Sequence, residues 1–258
     1  MNVLITAGGT SEAIDPVRTI TNSATGRLGS LVAERFAQES TTENIFYIAS
    51  QGAYKPDNEK TRIIPITDTA GLEAAVLKAM QENSIDVIVH SMAVSDYRVR
   101  TVTTAELLAE KLRSMAVAGI ADISAEMILE AEGLDNSEKL SSSEKNLIVI
   151  MEPTPKVIES FKRYAPHAIL VGFKLLDGVQ PDVLLDTAFA LLQKNNCTFV
   201  LANDAREISG DNHIGYLLDS ERNIRRFETK QQIANGITEA VLTVMCSNKC
   251  VEKECGNI

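Results

Sequence analysis

The chain has 258 residues, 45 % of them hydrophobic and 23 % charged, with a formal net charge of −10. That is enough apolar material for a full core, and the acidic balance without a basic stripe excludes a nucleic-acid-binding surface. No apolar run reaches the about 20 residues that span a bilayer, and residues 1–6 enter a strand with no charged and apolar leader, which points to a cytoplasmic protein.

Apolar runs of strand length alternate with helix-period segments along the chain, the pattern of an α/β fold with a mainly parallel sheet. Strands are expected at 3–6, 45–49, 62–65, 87–90, 147–151, 168–171 and 199–202, and helices at 28–38, 70–82, 155–164 and 183–194. Pro155 is read as opening its helix, where a missing N–H costs nothing, and Asn195-Asn196 as stopping the next. Residues 104–132 carry Ala and Leu at helical spacing. Runs at 214–218 and 223–227 flank Asp219-Ser220-Glu221 and read as an edge hairpin, and 230–244 as a closing helix. The whole is expected to form one domain over 1–258.

Three regions fall outside that rhythm. Residues 133–146 are rich in Ser, Asn and charge, so they read as a solvated loop, either a linker or a lid. Cys246, Cys250 and Cys255 have no histidine nearby and read as reduced thiols on a frayed tail, 246–258, while Cys197 precedes a strand and reads as core. His90, His167 and His213 are scattered and read as structural, and no resident metal site or catalytic triad is expected.

The third region is 4–29. Its first strand runs into Gly8 and Gly9, a long polar loop follows, and Gly26 and Gly29 stand at a helix start. Glycines permit positive φ and close ligand approach, and N–H groups at such a turn and at a helix N-terminus suit phosphates. The dinucleotide fingerprint packs three glycines into one turn, and here residues 10–25 separate the pairs. A loop of that length is functional or disordered, and its apolar Ile14, Val17 and Ile20 argue for order. Arg18, Asn22 and Thr25 within it are polar groups suited to fixing a substrate.

The ordered series Ala7-Gly8-Gly9-Thr10, Glu12-Ala13-Ile14-Asp15-Pro16-Val17-Arg18, Ile20-Thr21-Asn22 and Gly26-Arg27-Leu28-Gly29 resembles the opening of the phosphopantothenate–cysteine ligase family. Further segments resemble that family in order. They are Met92-Ala93-Val94-Ser95-Asp96-Tyr97, Lys139-Leu140-Ser141-Ser142, Pro153-Thr154-Pro155-Lys156-Val157-Ile158, Val171-Gly172-Phe173 and Ala202-Asn203-Asp204. Three positions depart from the family pattern: Ala24 replaces a serine, Met92 an alanine and Lys156 an aspartate.

The resemblance implies a Rossmann-like three-layer sandwich with an edge hairpin and a flexible strap at 133–146. It implies ligation of L-cysteine to 4′-phosphopantothenate through an acyl-nucleotide. The nucleotide would be CTP, as in the family's bacterial members, or ATP, as in its eukaryotic relatives, with the form of the first motif favouring CTP; Mg²⁺ would sit on its phosphates, in a homodimer with shared sites. Asn22 and Lys139 would be catalytic. Gly8, Gly9, Gly26, Gly29, Asp96, Lys139, Pro155, Lys156, Val157, Ile158, Phe173, Lys194 and Asn203 would meet the nucleotide. Asn22, Met92, Ala93 and Asp96 would meet the substrate. The resemblance begins at residue 4, so the flavin-dependent decarboxylase domain that precedes it in many bacterial members is not expected in this chain.

Two other readings stand beside it. A short-chain dehydrogenase needs Tyr-x-x-x-Lys, but Tyr54 is followed by Asn58 and Tyr97 by Thr101. A non-catalytic nucleotide sensor on the same fold would tolerate the three departures.

Overall fold

A computed structural model describes residues 1–130 and 133–255. The first half contains β1 (Asn2–Ala7), β2 (Ser11–Ala13), β3 (Thr19–Thr21), α1 (Arg27–Ala37), β4 (Asn44–Ser50), β5 (Thr61–Ile66), α2 (Thr69–Glu82), β6 (Val87–His90), β7 (Tyr97–Thr104), α3 (Ala105–Val117) and α4 (Ala125–Leu129). The second half contains β8 (Leu147–Pro153), α5 (Ile158–Tyr164), β9 (Ile169–Leu176), α6 (Pro181–Asn195), β10 (Phe199–Asp204), β11 (Ile208–Ser209), β12 (Asn212–Asp219), β13 (Ile224–Thr229) and α7 (Lys230–Cys255).

Six strands pair in parallel in the order β5-β4-β1-β6-β9-β10. Counted along the chain among themselves they stand as 3-2-1-4-5-6, the doubly wound order. The direction of that order reverses between β1 and β6, and a crevice opens there at the strands' C-terminal ends. β12 joins β10 antiparallel, and β11 and β13 flank β12, which is the expected edge hairpin.

The period of two along each strand divides the core. Val3, Ile5, Ile45, Tyr47, Val87, Val89 and Leu201 face α1 and α7, where they meet Phe36, Ile233 and Val241. Leu4, Phe46, Ile48, Ile88, Leu170 and Val200 face α2, α5 and α6, where they meet Leu72, Phe161 and Leu184. Both faces being covered, these strands read as near-continuous apolar runs. The result is a three-layer sandwich, as the sequence predicts. Among the described residues no helix is long and apolar enough to cross a membrane.

The helix ends follow local chemistry. Asp68 Oδ1 accepts the Gly71 N–H at 2.7 Å and caps α2. Asp68→Ala is expected to cost about 1 kcal/mol, read as a fall in Tm of roughly 2–4 °C. An unchanged Tm would show that another group takes over the cap. Asn196 ends α6 in the left-handed region at φ 51°, the stop that the Asn-Asn pair predicts.

Four expectations need correction. The run at 147–151 is not a strand of the main sheet, because β6 pairs directly with β9. β8 instead pairs antiparallel with the polar β7 as a separate two-stranded arm, and Leu147–Glu152 are only half-buried. An unbroken apolar run suits either setting, and only the partner decides between them. Pro155 does not open a helix. α5 starts three residues later, after Thr154 N–H bonds the Asp96 carbonyl at 3.0 Å and keeps the turn extended. The helical run at 104–132 splits into α3 and α4 around Gly119 at φ 77°, and neither helix buries a residue. The closing helix passes its expected end at Val244 and reaches Cys255, so the backbone from Cys246 to Cys255 is helical where fraying was expected. Residues 131, 132 and 256–258 lie outside the described residues, and so do the expectations for the side chains of Cys250 and Cys255.

Candidate functional site

The two glycine pairs, far apart in sequence, meet at the C-terminal end of β1. Gly26 holds φ 71°, and a Cβ there would stand 2.9 Å from Ala53 Cβ and 3.0 Å from Gly8 N. A Cβ on Gly9 would stand 2.0 Å from the Asn22 carbonyl oxygen. The glycines are therefore the condition for closing loop, strand and helix onto one another. Gly26 caps α1 with no side chain of its own, Arg27 N–H reaches Thr25 Oγ1 only at 3.4 Å, and the first-turn N–H groups face this turn. Arg27 adds a cation, with its guanidinium 5.2 Å from the Tyr54 ring centre.

The long loop is ordered, and it forms the β2–β3 hairpin. The hairpin is moored at its base. Buried Glu12 accepts the Thr69 N–H at 3.0 Å and its hydroxyl at 2.7 Å, and Ser11 N–H bonds the Thr67 carbonyl at 2.8 Å. Asn22 follows β3. Its Nδ2 donates to the Ala93 carbonyl at 3.2 Å, which leaves the second N–H of the amide for a ligand. Thr10 N–H also donates to the Ala93 carbonyl, at 3.1 Å, and Ser95 N–H donates to Thr10 Oγ1 at 2.8 Å. The glycine turn, Asn22 and the 92–96 loop thus form one hydrogen-bonded unit across the β1–β6 crevice.

The turn after β8 joins that unit, since the Thr154 hydroxyl donates to the Ser95 carbonyl. Lys156 forms an ion pair with Asp96. Lys194 pairs with Glu159 at 2.8 Å, and this pair lowers the Glu159 pKa. Pro155 and Lys156 are exposed, whereas Val157 is buried in the α2-side core with Ile158 packed against it. Met92 is also buried there, so its bulk points into the core and its backbone faces the loop. Phe173 packs on the opposite, α1-side core, and Asn203 is buried at the end of β10. The structure thus gathers Gly8, Gly9, Asn22, Gly26, Ala93, Asp96 and Lys156, and it leaves Phe173 and Val157 on different faces of the sheet.

The strap carries Lys139 on its exposed side. Leu140, the next residue, is buried and lies against the β2–β3 turn. Asp15 and Arg18, which make that contact, are site residues that the sequence pattern either leaves unmarked or suggests for a different task. Their signal is Asp-Pro-x-Arg, an Asx-turn pattern in which Asp15 Oδ1 accepts the Val17 and Arg18 N–H groups at 2.8 and 2.7 Å. The Arg18 guanidinium holds the Asp15 carboxyl well below the usual carboxylate range.

His90 ends β6 but takes no exposed role. Its Nδ1 lies 2.7 Å from Thr6 Oγ1, its ring packs edge-on against Phe161, and burial lowers its pKa to about 4. The folded value lies below the ordinary 6.5, so between these values the unfolded chain binds the extra proton. Stability from this group is present above 6.5 and is lost as pH falls toward 4, by roughly 3 kcal/mol in total. Denaturant midpoints for His90→Gln should depend less on pH across that window than those of the unsubstituted protein. Parallel profiles would mean that His90 is charged in the fold. The Cys197 thiol is likewise buried, and desolvation pushes it up to about 12. A separate cavity of about 280 Å³ between α6 and the β12–β13 turn is lined by Asp186, Phe189 and Arg222 and contains none of the glycine loops.

Residues 1–132 and 115–245 match the family model described as the DNA/pantothenate metabolism flavoprotein C-terminal domain. The chain is similar to the coenzyme A biosynthesis bifunctional protein CoaBC of Thermococcus kodakarensis, with 25 % identity over 93 % of this chain and 50 % of the relative. It spans about half the length of the curated relatives it matches. Among solved structures it is similar to the DNA/pantothenate metabolism flavoprotein from Streptococcus pneumoniae, with TM-score 0.80 and 32 % identity over 95 % of this chain and 99 % of that one. A Cab2 H337A mutant in complex with phosphopantothenate-cysteine has the same fold, with TM-score 0.67 and 17 % identity over 98 % of this chain and 88 % of that one. The chain belongs to the DNA/pantothenate metabolism flavoprotein C-terminal domain family.

Proposed function

We propose that this protein ligates L-cysteine to 4′-phosphopantothenate at the expense of a nucleoside triphosphate, CTP, in the cytoplasm. The observation that carries the reading is the hydrogen-bonded unit of glycine turn, Asn22 and Ala93 at the β1–β6 crevice, with the Lys139 strap seated on the same hairpin. Family membership supports it, as do relatives named for coenzyme A biosynthesis and a neighbour of the same fold solved with phosphopantothenate-cysteine.

A carboxylate is a poor acylating agent and must first be activated. The phosphopantothenate carboxylate attacks the α-phosphate and pyrophosphate leaves. The cysteine amine then attacks the acyl-nucleotide carbonyl, loses a proton and expels the nucleoside monophosphate. The chain's task is positioning and charge stabilisation. The glycine-turn and α1 N–H groups hold phosphate oxygens. Asn22 donates its second amide N–H to the reacting carboxyl oxygen. Lys139 places a positive charge on the triphosphate. Among the described residues no group of three or more His, Cys, Asp or Glu could hold a metal. Mg²⁺ would arrive on the nucleotide's own oxygens and water. A homodimer completes the reading, with the half-buried strip of β8 as the surface a second copy would cover.

The test is pyrophosphate release from Mg²⁺, 4′-phosphopantothenate, L-cysteine and either CTP or ATP. Release that requires phosphopantothenate is expected, and CTP is expected to support it better. One observation favours the nucleotide-sensor alternative: Lys156 occupies the Asp96 carboxylate. Nucleotide binding without pyrophosphate release would select it.

A further inference from the structure

Tyr47 puts a hydroxyl into the core. Its neighbours in β4 from Ile45 to Ala49 are Ile, Phe and Ala, and all five residues are buried. A buried hydroxyl needs a partner, and this one finds it beyond the sheet. It donates to the Tyr54 carbonyl at 2.8 Å and makes a longer contact, 3.4 Å, with the Gly26 carbonyl. A phenol has one proton to give, so the Tyr54 bond is the stronger branch. Burial, with Glu34 as a lesser influence, raises the Tyr47 pKa, which keeps the group a neutral donor.

Tyr54 is fastened from its other side as well. Its N–H donates to the Thr25 carbonyl at 3.0 Å. The residue before it, Ala53, is buried against the glycine turn: a Cβ placed on Gly8 or Gly26 would stand 2.8 or 2.9 Å from Ala53 Cβ. The Gly26 carbonyl also accepts the Ser30 N–H at 3.0 Å, the bond that opens α1. The Tyr54 ring is exposed and lies 5.2 Å from the Arg27 guanidinium. The first turn of α1 is thus held between Gly8 and the Ala53-Tyr54 pair, and Tyr47 ties that pair to the middle of the sheet.

We infer that Tyr47 is a positioning residue: through the Tyr54 carbonyl it holds Ala53 and Tyr54 against Thr25–Arg27, and so fixes the α1 N–H groups and the Arg27 guanidinium where they meet the nucleotide's phosphates, without touching the nucleotide itself. The phosphate part rests on the reading that the glycine turn receives the triphosphate, and the brace itself does not.

The experiment compares Tyr47→Phe, which removes one oxygen and keeps the ring, with the unsubstituted protein in two measurements. In hydrogen exchange read by mass spectrometry, peptides covering 24–30 and 53–56 are expected to exchange about tenfold faster, the scale of one lost buried hydrogen bond. Peptides from β1 and β6 should keep their rates. In calorimetric titration with Mg²⁺-tripolyphosphate and, separately, Mg²⁺-CTP, the Kd is expected to rise about fivefold for both, since a helix N-terminus binds an anion only in a fixed geometry. In turnover, KM for CTP should rise by a similar factor while KM for L-cysteine stays within about twofold. Tyr54→Ala sits on the surface and reports even if Tyr47→Phe folds poorly. It removes the Arg27 stack and keeps both backbone bonds, so it should weaken tripolyphosphate binding about threefold with no faster exchange at 24–30. Tyr54→Phe should restore that binding.

Wild-type exchange at both segments in Tyr47→Phe overturns the brace. Faster exchange with unchanged affinity for both probes overturns the positioning role and leaves Tyr47 to the core alone. An unsubstituted protein that binds neither probe removes the inference together with the phosphate reading beneath it. Weaker tripolyphosphate binding by Tyr47→Phe, in a protein that releases no pyrophosphate, would keep the inference and remove the ligase reading.

Discussion

Lys139→Gln is expected to lower kcat for pyrophosphate release by about 10²–10³-fold, the scale of removing one preorganised charge-stabilising donor. The structure explains why the loss should fall on chemistry rather than on folding. Lys139 is exposed on the strap, and among the described residues no hydrogen bond or ion pair engages its ammonium group. Its neighbour Leu140, not Lys139, carries the docking contacts. The variant should therefore unfold within about 1 °C of wild type, as neutral surface substitutions do. Steady-state kinetics at saturating CTP and phosphopantothenate would read the effect in kcat. Parallel measurements on Lys145→Gln separate the two lysines, since Lys145 stands beyond the docked segment. A loss below about threefold for Lys139→Gln, which is under 1 kcal/mol of barrier, would show that the strap works without this charge. An equal loss for Lys145→Gln would move the role along the strap.

Gly9→Ala is the second large effect, and it should register in both stability and turnover. The new methyl would stand 2.0 Å from the Asn22 carbonyl oxygen and 2.9 Å from its carbon, both backbone atoms that cannot rotate aside. Either the hairpin end carrying Asn22 moves or the β1 turn does. Overpacking of this kind costs about 1–3 kcal/mol. Asn22 would shift relative to Ala93, which is its partner at 3.2 Å. A displacement near 1 Å of a positioning group costs on the order of 10²-fold in rate. Gly52→Ala is the control: nothing lies within 4 Å of the place its new methyl would take, so it should keep wild-type turnover. Wild-type Tm and kcat in Gly9→Ala would mean that Asn22 is not held against the glycine turn, and the site as built from these contacts would fall with it.

Much of the fold is legible in local pattern. Each of the six parallel strands stands where an apolar run of strand length occurs, and α1, α2 and α6 lie within two residues of the expected bounds. The reason is that a strand covered on both faces and a helix covered on one have periods set by backbone geometry alone. The site is legible in part for the same reason. Gly8, Gly9 and Gly26 are chosen by the backbone conformations and close approaches they permit, and a glycine declares that need in the sequence itself.

Other features depend on which distant segment arrives, and no period encodes that. The apolar run at 147–151 is equally suited to the sheet centre or to an arm, and pairing with the polar β7 put it on the arm. Met92 is expected to meet the substrate, and the loop after β6 instead turned its side chain into the core. Lys156 and Asp96, sixty residues apart, meet only because Thr154 fastens one turn to the other. The loop at 133–146 has the composition of a linker, and its seating rests on one buried leucine and one ion pair contributed by the β2–β3 turn. The sequence by itself determined the alternation of strands and helices of an α/β fold and the glycine turns at its edge, because local geometry demands those residues. Only the tertiary structure decided where the strap rests and what holds it, because that energy lies in contacts between segments about 120 residues apart, which local propensity does not record.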